Sequence, residues 1–256
     1  MREKIILFLK RFPAIHRFVK NLYWKSLGLR AKIFGTKLEE RKWKRRHLLK
    51  RSDWGNDEDW INGYWSSRSH PHRQLLIDKI SQYLPQSILE IGSNCGPNLY
   101  LLAKKFPKAK IVGIDINEEA VKKGNEFFAK ERIQNVKLIF GKADEIHQFQ
   151  DKSFDSVFTD AVLMYIGPDK IKKVMKEIIR IAHKTLIFIE WHENSEKDFQ
   201  GLGIYHFGHW KRNYINLLKQ FVPPKQIHLT KIPKEIWSEK NWDELGYIIE
   251  VIIQKI

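Results

Sequence analysis

Apolar positions in the middle of this chain come in short runs rather than in simple alternation with polar ones. Ile88-Leu89-Glu90-Ile91, Lys110–Asp115, Val136–Phe140, Phe154–Thr159 and Thr185–Glu190 each read as a buried strand. Between them, apolar residues recur at helical spacing. Leu75, Leu76, Ile80 and Tyr83 predict a helix ending before Pro85, and Leu99, Leu102, Ala103 and Phe106 predict one closed by Pro107. Asn117 is placed to cap a third helix, with Glu118 and Glu119 in its first turn and an end near Lys130; a fourth runs from Pro168 to about His183. Residues Trp210–Phe221 predict another helix, and Ile227–Ile232 and Tyr247–Ile253 two closing strands. Strands alternating with helices over this length predict an α/β fold with a doubly wound, mostly parallel, seven-stranded sheet.

The N-terminal fifth has a different texture. Residues 3–12 and 14–34 predict two helical pieces separated by Pro13, with Ile15, Phe18, Val19, Leu22 and Tyr23 set among Arg17, Lys20, Lys25, Arg30 and Lys32. A charged run over 39–51 predicts an exposed helix or linker. From Trp54 to Arg73 the chain turns aromatic, with Trp54, Trp60, Tyr64 and Trp65 ahead of Arg68, His70, His72 and Arg73. Such a segment either covers a ligand site or packs as a helical cap on the sheet. The expected division is a basic helical extension over 1–51, an aromatic-rich cap over 52–85 and an α/β domain over 86–256.

Charge sharpens that division. The net charge is +16, yet residues 1–51 hold 17 Lys/Arg against 3 Asp/Glu, leaving a balance of only +2 for the rest. The extension therefore calls for an anionic partner: a membrane surface, where each basic residue adds about 1 kcal/mol, or nucleic acid. A helix packed on the protein's own body, with its charges solvated, is the third option. Signatures of RNA-binding modules are missing from the sequence. Cys95 stands as the single cysteine, which excludes a disulfide framework and suits a reducing compartment. No apolar run approaches the ~20 residues needed to span a bilayer, and the N-terminus lacks the pattern of a secretory signal. The expectation is a cytoplasmic protein, peripheral at the inner membrane face.

The candidate chemistry lies in Ser87–Asn98. A strand carrying one acid, Glu90, runs into a loop bracketed by Gly92 and Gly96, and Pro97 suits the first position of a helix. In a doubly wound sheet the ligand sits beyond the carboxyl ends of the strands, where Glu90, Asp115, Asp144 and Asp160 all fall. Asp115 is placed to meet ribose hydroxyls, so an adenosine-type ligand is expected. A dinucleotide fingerprint fails, because Asn94 and Pro97 occupy two of its glycine positions. An acid beside the loop also suits a cationic ligand better than a pyrophosphate.

With these residues the chain resembles the class I S-adenosylmethionine-dependent methyltransferases, well over about residues 86–190 and loosely over the last three elements. Glu90-Ile91-Gly92-Ser93-Asn94-Cys95-Gly96 matches their first motif except at Asn94, a residue that tolerates positive φ. The resemblance implies S-adenosylmethionine as cofactor, with Glu90, Gly92, Ser93, Asn94 and Gly96 around its amino-acid end. It implies Asp115 and Ile116 at the ribose, Ala143 and Asp144 at adenine, and Asp160 at the mouth where the methyl group is transferred.

For a hydroxyl acceptor a general base is useful, and Asp160 and His192 are the catalytic candidates, with His206 and His209 behind them. Glu190, His192 and Glu193 match no metal-ligand spacing, so no metal is expected. Asp160-Ala161-Val162-Leu163 lacks the Asn/Asp-Pro-Pro-aromatic sequence of base-amino methyltransferases, and Cys95 sits in the cofactor loop, away from any role as a nucleophile on a pyrimidine. The sequence therefore reads as a methyltransferase acting on an oxygen of a membrane-associated glycan or lipid, or another small-molecule acceptor. An RNA methyltransferase using the basic arm, and a non-catalytic cofactor-binding protein that docks on membranes, are the alternatives.

Overall fold

A computed structural model of the chain describes residues 12–48, 59–206 and 208–254. The helical piece expected at 3–12 and the end of the charged run lie outside them. The first described helix, α1 (Pro13–Phe34), starts on a proline and stops at Gly35, whose φ of +53° belongs to the left-handed region. It is followed by α2 (Lys37–Lys44) and a 3-10 turn at Arg46–Leu48. Asp59 caps α3 (Trp60–Ser66), its Oδ1 accepting from the amides of Ile61 and Asn62 at 3.0 Å each. A second proline-initiated helix, α4 (Pro71–Ser81), then leads into the sheet.

Strands and helices alternate from there: β1 (Ser87–Ile91), α5 (Pro97–Lys105), β2 (Lys110–Asp115), α6 (Glu118–Lys130), β3 (Val136–Phe140), β4 (Phe154–Asp160), α7 (Ile171–Ile181) and β5 (Ala182–Trp191). A short ribbon, β6 (Ile204–His206) with β7 (His209–Lys211), and α8 (Tyr214–Leu218) precede β8 (Ile227–Lys231), α9 (Lys240–Leu245) and β9 (Gly246–Ile252). The main sheet has the order β3-β2-β1-β4-β5-β9-β8. Its first five strands are parallel, while β9 runs antiparallel to both β5 and β8. The doubly wound, seven-stranded architecture expected from the sequence is the one observed.

The strands read as unbroken apolar runs because both sheet faces are covered. Successive residues point to opposite sides: Ile88 joins Leu76, Ile80, Leu99 and Phe158 in one apolar layer, while Leu89 joins Val112, Val157, Ile178 and Leu186 in the other. The crossover from β3 to β4 makes β1 and β4 neighbours, so the loops after these two strands leave the same edge of the sheet side by side.

One expectation needs correction. Trp210–Phe221 is not one helix: residues 209–211 pair with 204–206, and α8 begins only after Asn213, whose side chain caps it through the amide of Asn216 at 3.0 Å. Arg212 cannot continue a helix surface because it is fully buried, its guanidinium donating to the carbonyls of Leu163, Ile166 and Leu202. The charged run, expected as an exposed helix or linker, is helical over its described part. Residues 37–44 form α2, and Glu39 within it is buried against the α/β body.

Candidate active site

The loops after β1, β2, β3 and β4 surround a cavity that, with its open mouth, measures about 820 Å³. Gly92, Asn94, Asp115, Ile116, Ala143, Asp144 and Asp160 line it. The backbone explains why this loop carries glycine and asparagine. Gly92 has φ +79°, and a Cβ there would lie 2.3 Å from Val162 Cγ2; Asn94 also has positive φ, at +51°. Asp115 fastens the loop, its Oδ2 accepting from the Asn94 amide and its Oδ1 from the Asn117 amide, both at 2.7 Å. Burial pushes its carboxyl up to about 6 against those amides.

Three of the expected cofactor residues stand behind this surface. Gly96 takes φ +84° as the N-cap of α5, where a side chain would meet the Phe128 ring at 2.6 Å, so it serves close packing of loop on helix. Ser93 is buried, its Oγ lying toward Gly113 of β2 rather than the cavity. Glu90 is 2% exposed and belongs to a polar cluster under the loop.

That cluster is the chemically distinctive part of the site. Asn98 Nδ2 donates to Glu90 Oε1 at 2.7 Å and to Asp160 Oδ2 at 3.0 Å. Arg73 Nη1 donates to Asn98 Oδ1 at 2.8 Å and to Asp160 Oδ2 at 3.2 Å, while its remaining donors hold Ser67. His72 Nε2 meets Asp160 Oδ2 at 3.1 Å, and its Nδ1 meets His70 Nδ1 at 2.5 Å. The rings of His72 and Trp237 stack 4.2 Å apart.

The two acids respond in opposite directions. Burial pushes Glu90 up to about 8, only partly offset by Asn98. Burial would raise Asp160 as well, but His72, Arg73 and Asn98 outweigh it and hold that carboxyl below the ordinary range. Each acid keeps one buried oxygen without a hydrogen-bond partner among the described residues: Glu90 Oε2 and Asp160 Oδ1. An orphaned buried acceptor is costly and marks a place where a donor belongs.

Asp160 is thus held as an anion, which makes it an electrostatic anchor and a weak base. His192 is not placed for catalysis either. It does not line the cavity, is 2% exposed, and spends Nε2 on Asn194 Oδ1 at 2.7 Å and Nδ1 on the Tyr214 amide at 3.3 Å. Its neighbour Glu190 is wholly buried and secures the loop after β4. Oε1 accepts from Thr159 Oγ1 and the amides of Val162 and Leu163, and Oε2 from the amide of Met164, all at 2.8–3.0 Å. Among the described residues, no group of three or more His, Cys, Asp or Glu side chains is arranged to hold a metal ion. Cys95 is buried, and burial pushes its thiol up, away from the reactive thiolate.

The other half of the wall lies outside the expected site residues, although the aromatic segment holding Trp60 and Tyr64 is the one expected either to cover a ligand site or to cap the sheet. Thr36, Glu39, Glu40 and Trp43 come from the N-terminal arm, Trp60 and Tyr64 from α3, and Tyr165 and Lys170 from beyond β4. Trp43 packs edge-on against Tyr165 at 4.7 Å and lies 6.1 Å from Trp60. Lys170 joins Glu40 at 2.5 Å to Asp144 at 2.9 Å, which holds Asp144 below the usual carboxylate range despite its partial burial. Tyr165 Oη meets His209 Nε2 at 3.3 Å.

The sequence model of a family described as "Methyltransferase domain" matches residues 86–250. A trans-aconitate 2-methyltransferase of Rhodopseudomonas palustris is 23% identical over 146 residues, covering 57% of this chain and 53% of that protein. The chain thus spans about half the length of the curated relatives it matches. Among solved structures, geranyl diphosphate C-methyltransferase from Streptomyces coelicolor A3(2), in complex with S-adenosyl-L-homocysteine, superposes with a TM-score of 0.58 at 13% identity, over 85% of this chain and 97% of that one. The PH0226 protein of Pyrococcus horikoshii OT3 gives 0.54 at 18% identity, over 85% and 99%. At these identities the structural likeness establishes the fold.

Replacing Glu190 by Gln leaves one acceptor oxygen where two served four donors and turns an N–H toward another N–H. We expect a loss of about 1–3 kcal/mol in stability and faster amide exchange at Val162, Leu163 and Met164. Unchanged exchange at these three amides would show that Glu190 does not hold the loop.

Proposed function

The chain belongs to the methyltransferase-domain family of S-adenosylmethionine-dependent enzymes, and we propose that it methylates an oxygen of a membrane-associated acceptor, a glycan or a lipid. S-adenosylmethionine supplies an electrophilic methyl group on a sulfonium, together with an ammonium, a ribose diol and adenine. The residues present fit those groups. The observation that carries this reading is the pair of orphaned acid oxygens, Glu90 Oε2 and Asp160 Oδ1, under a glycine loop too tight for a side chain. They would take the ammonium end. Asp115 would hold the ribose, beside Ile116, and Ala143 and Asp144 the adenine, with Trp43, Trp60 and Tyr64 excluding water from the same cavity.

With both reactants held in line, orientation supplies much of the rate, as much as ~7–11 kcal/mol in well-aligned systems. Asp160, fixed as an anion by Arg73 and His72, contributes charge rather than proton abstraction. A hydroxyl acceptor still has to lose a proton. Tyr165 lines the cavity, and its hydroxyl meets His209, so this pair is our choice for the proton's exit. The choice of an oxygen acceptor rests on Asp160-Ala161-Val162-Leu163 standing where base-amino methyltransferases carry prolines. The membrane part rests on α1, whose Phe18, Leu29 and Ile33 are 60–65% exposed on a basic segment. Among the described residues no helix is long and apolar enough to cross a membrane, so the association proposed is peripheral.

A cationic ligand favours ionised Glu90, whose carboxyl sits at about 8 without it. Binding therefore lowers that value, and affinity should rise with pH toward about 8, then decline as the ligand's own ammonium loses its proton. Titration calorimetry at pH 7 in buffers of different ionisation enthalpy should register proton release from Glu90, absent in Glu90→Gln. Proton uptake on binding would contradict this placement.

Methyl transfer from labelled cofactor into separated lipids, glycans and RNA tests the acceptor. We expect label in the lipid or glycan fraction, with turnover lowered about 100-fold in His209→Gln and cofactor affinity unchanged. Label confined to RNA would overturn the acceptor assignment.

A further inference from the structure

The helix that suggests a membrane and the wall that closes the cavity are one continuous segment. On α1, Ile15, Phe18, Val19, Leu22, Leu29 and Ile33 are all exposed, and with about 3.6 residues per turn they fall on one side. Toward the C-terminal end of the helix the opposite side faces the protein: Ala31 is buried, and a Cβ at Gly28 would lie 3.6 Å from the Tyr205 ring. The apolar stripe therefore points away from the body, with Arg17 and Arg30 exposed on the same helix and a balance of +14 over residues 1–51.

Immediately after α1 the chain crosses the cavity as a strap, residues 36–48, fastened at three places. Thr36 donates its amide and hydroxyl to Asp169 Oδ1 at 3.0 and 2.8 Å, and its Oγ1 accepts from the Gly167 amide at 2.8 Å. Glu40 reaches Asp144 through Lys170. Farther on, Asn117 Nδ2 donates to the Trp43 carbonyl, and its Oδ1 meets His47 Nδ1, both at 3.0 Å. The last two fastenings grip residues next to or within two of the carboxylates that line the cavity, Asp115 and Asp144. All three are polar contacts rather than apolar packing; Thr36 and Asn117 are buried, while the Glu40–Lys170–Asp144 link keeps partial contact with solvent.

We propose that α1 docks its apolar stripe on an anionic lipid surface and that docking, passed on through the strap, tightens the cavity's hold on its nucleoside ligand. The inference rests on the cofactor reading above. A free arm must be ordered each time the strap closes; an arm already held on a bilayer has lost part of that freedom, so closure over the ligand costs less. Such coupling is reciprocal, and the ligand must strengthen lipid binding by the same factor.

The test uses the full chain, S-adenosylhomocysteine as the probe ligand, and vesicles of phosphatidylcholine with or without phosphatidylglycerol. Vesicles containing phosphatidylglycerol should float the protein and slow release of the probe by about five-fold; neutral vesicles should do neither. Phe18→Glu with Leu22→Glu should abolish flotation while leaving release in solution unchanged. Asp169→Ala should float normally but lose the slowing. Flotation with an unaltered release rate would overturn the coupling, and binding to RNA but not to vesicles would overturn the docking. Normal flotation by a chain with no affinity for the probe in solution would instead show that the cofactor reading has failed.

Discussion

Two carboxyl groups, Glu90 and Asp160, sit at the ends of adjacent strands in the apolar centre of the sheet, and the arrangement around them sets the rest of the site. Removing such groups from water costs several kcal/mol each unless partners replace the water. Here Asn98 bridges the two acids, while Arg73 and His72 reach Asp160 from α4. Arg73, only 2% exposed, also ties Ser67 and Asn98 together, so the helices ahead of the sheet are part of the site's electrostatics and not merely its cover. The compensation is incomplete by one oxygen on each acid. A pocket that is short of donors under a loop pinched at Gly92 is suited to a ligand that brings positive charge.

Around that centre, buried acids and backbone amides divide the work. Asp115 secures the loop after β1 and Glu190 the loop after β4, each by accepting backbone N–H groups that would otherwise be left unpaired. The two loops are therefore held from below, and the cavity opens toward the N-terminal arm, whose Trp43 meets Tyr165 across it. The arm that carries the exposed helix α1 thus also supplies part of the cavity wall.

The sheet was legible because strands covered on both faces leave long apolar runs, and the acids at their ends mark the carboxyl edge. Asn94 and Gly92 were legible because positive φ restricts residue choice. His72 and Arg73 were not, since they meet Asp160 across 87 to 88 residues of chain and no local pattern announces that encounter. Asn98 stood within the stretch that drew attention, yet an asparagine in the first turn of a helix reads as ordinary. The strap was hidden by its charge: Glu39 and Glu40 look solvated until Lys42 and Lys170 are seen beside them. His192 misled because an imidazole after a strand end resembles a base; only the packing shows both nitrogens engaged. The ribbon of 204–206 with 209–211 consists of three-residue strands, too short to show alternation, and α8 owes its start to Asn213 rather than to apolar spacing.

A crystal structure with S-adenosylmethionine bound is the most direct measurement of whether the orphaned acids define the ligand. The amino nitrogen should lie within hydrogen-bond distance of Asp160 Oδ1 and reach Glu90 Oε2 directly or through one water, with the ribose on Asp115. A cofactor whose amino end points away from both acids, leaving their oxygens unpartnered, would contradict the assignment of this site.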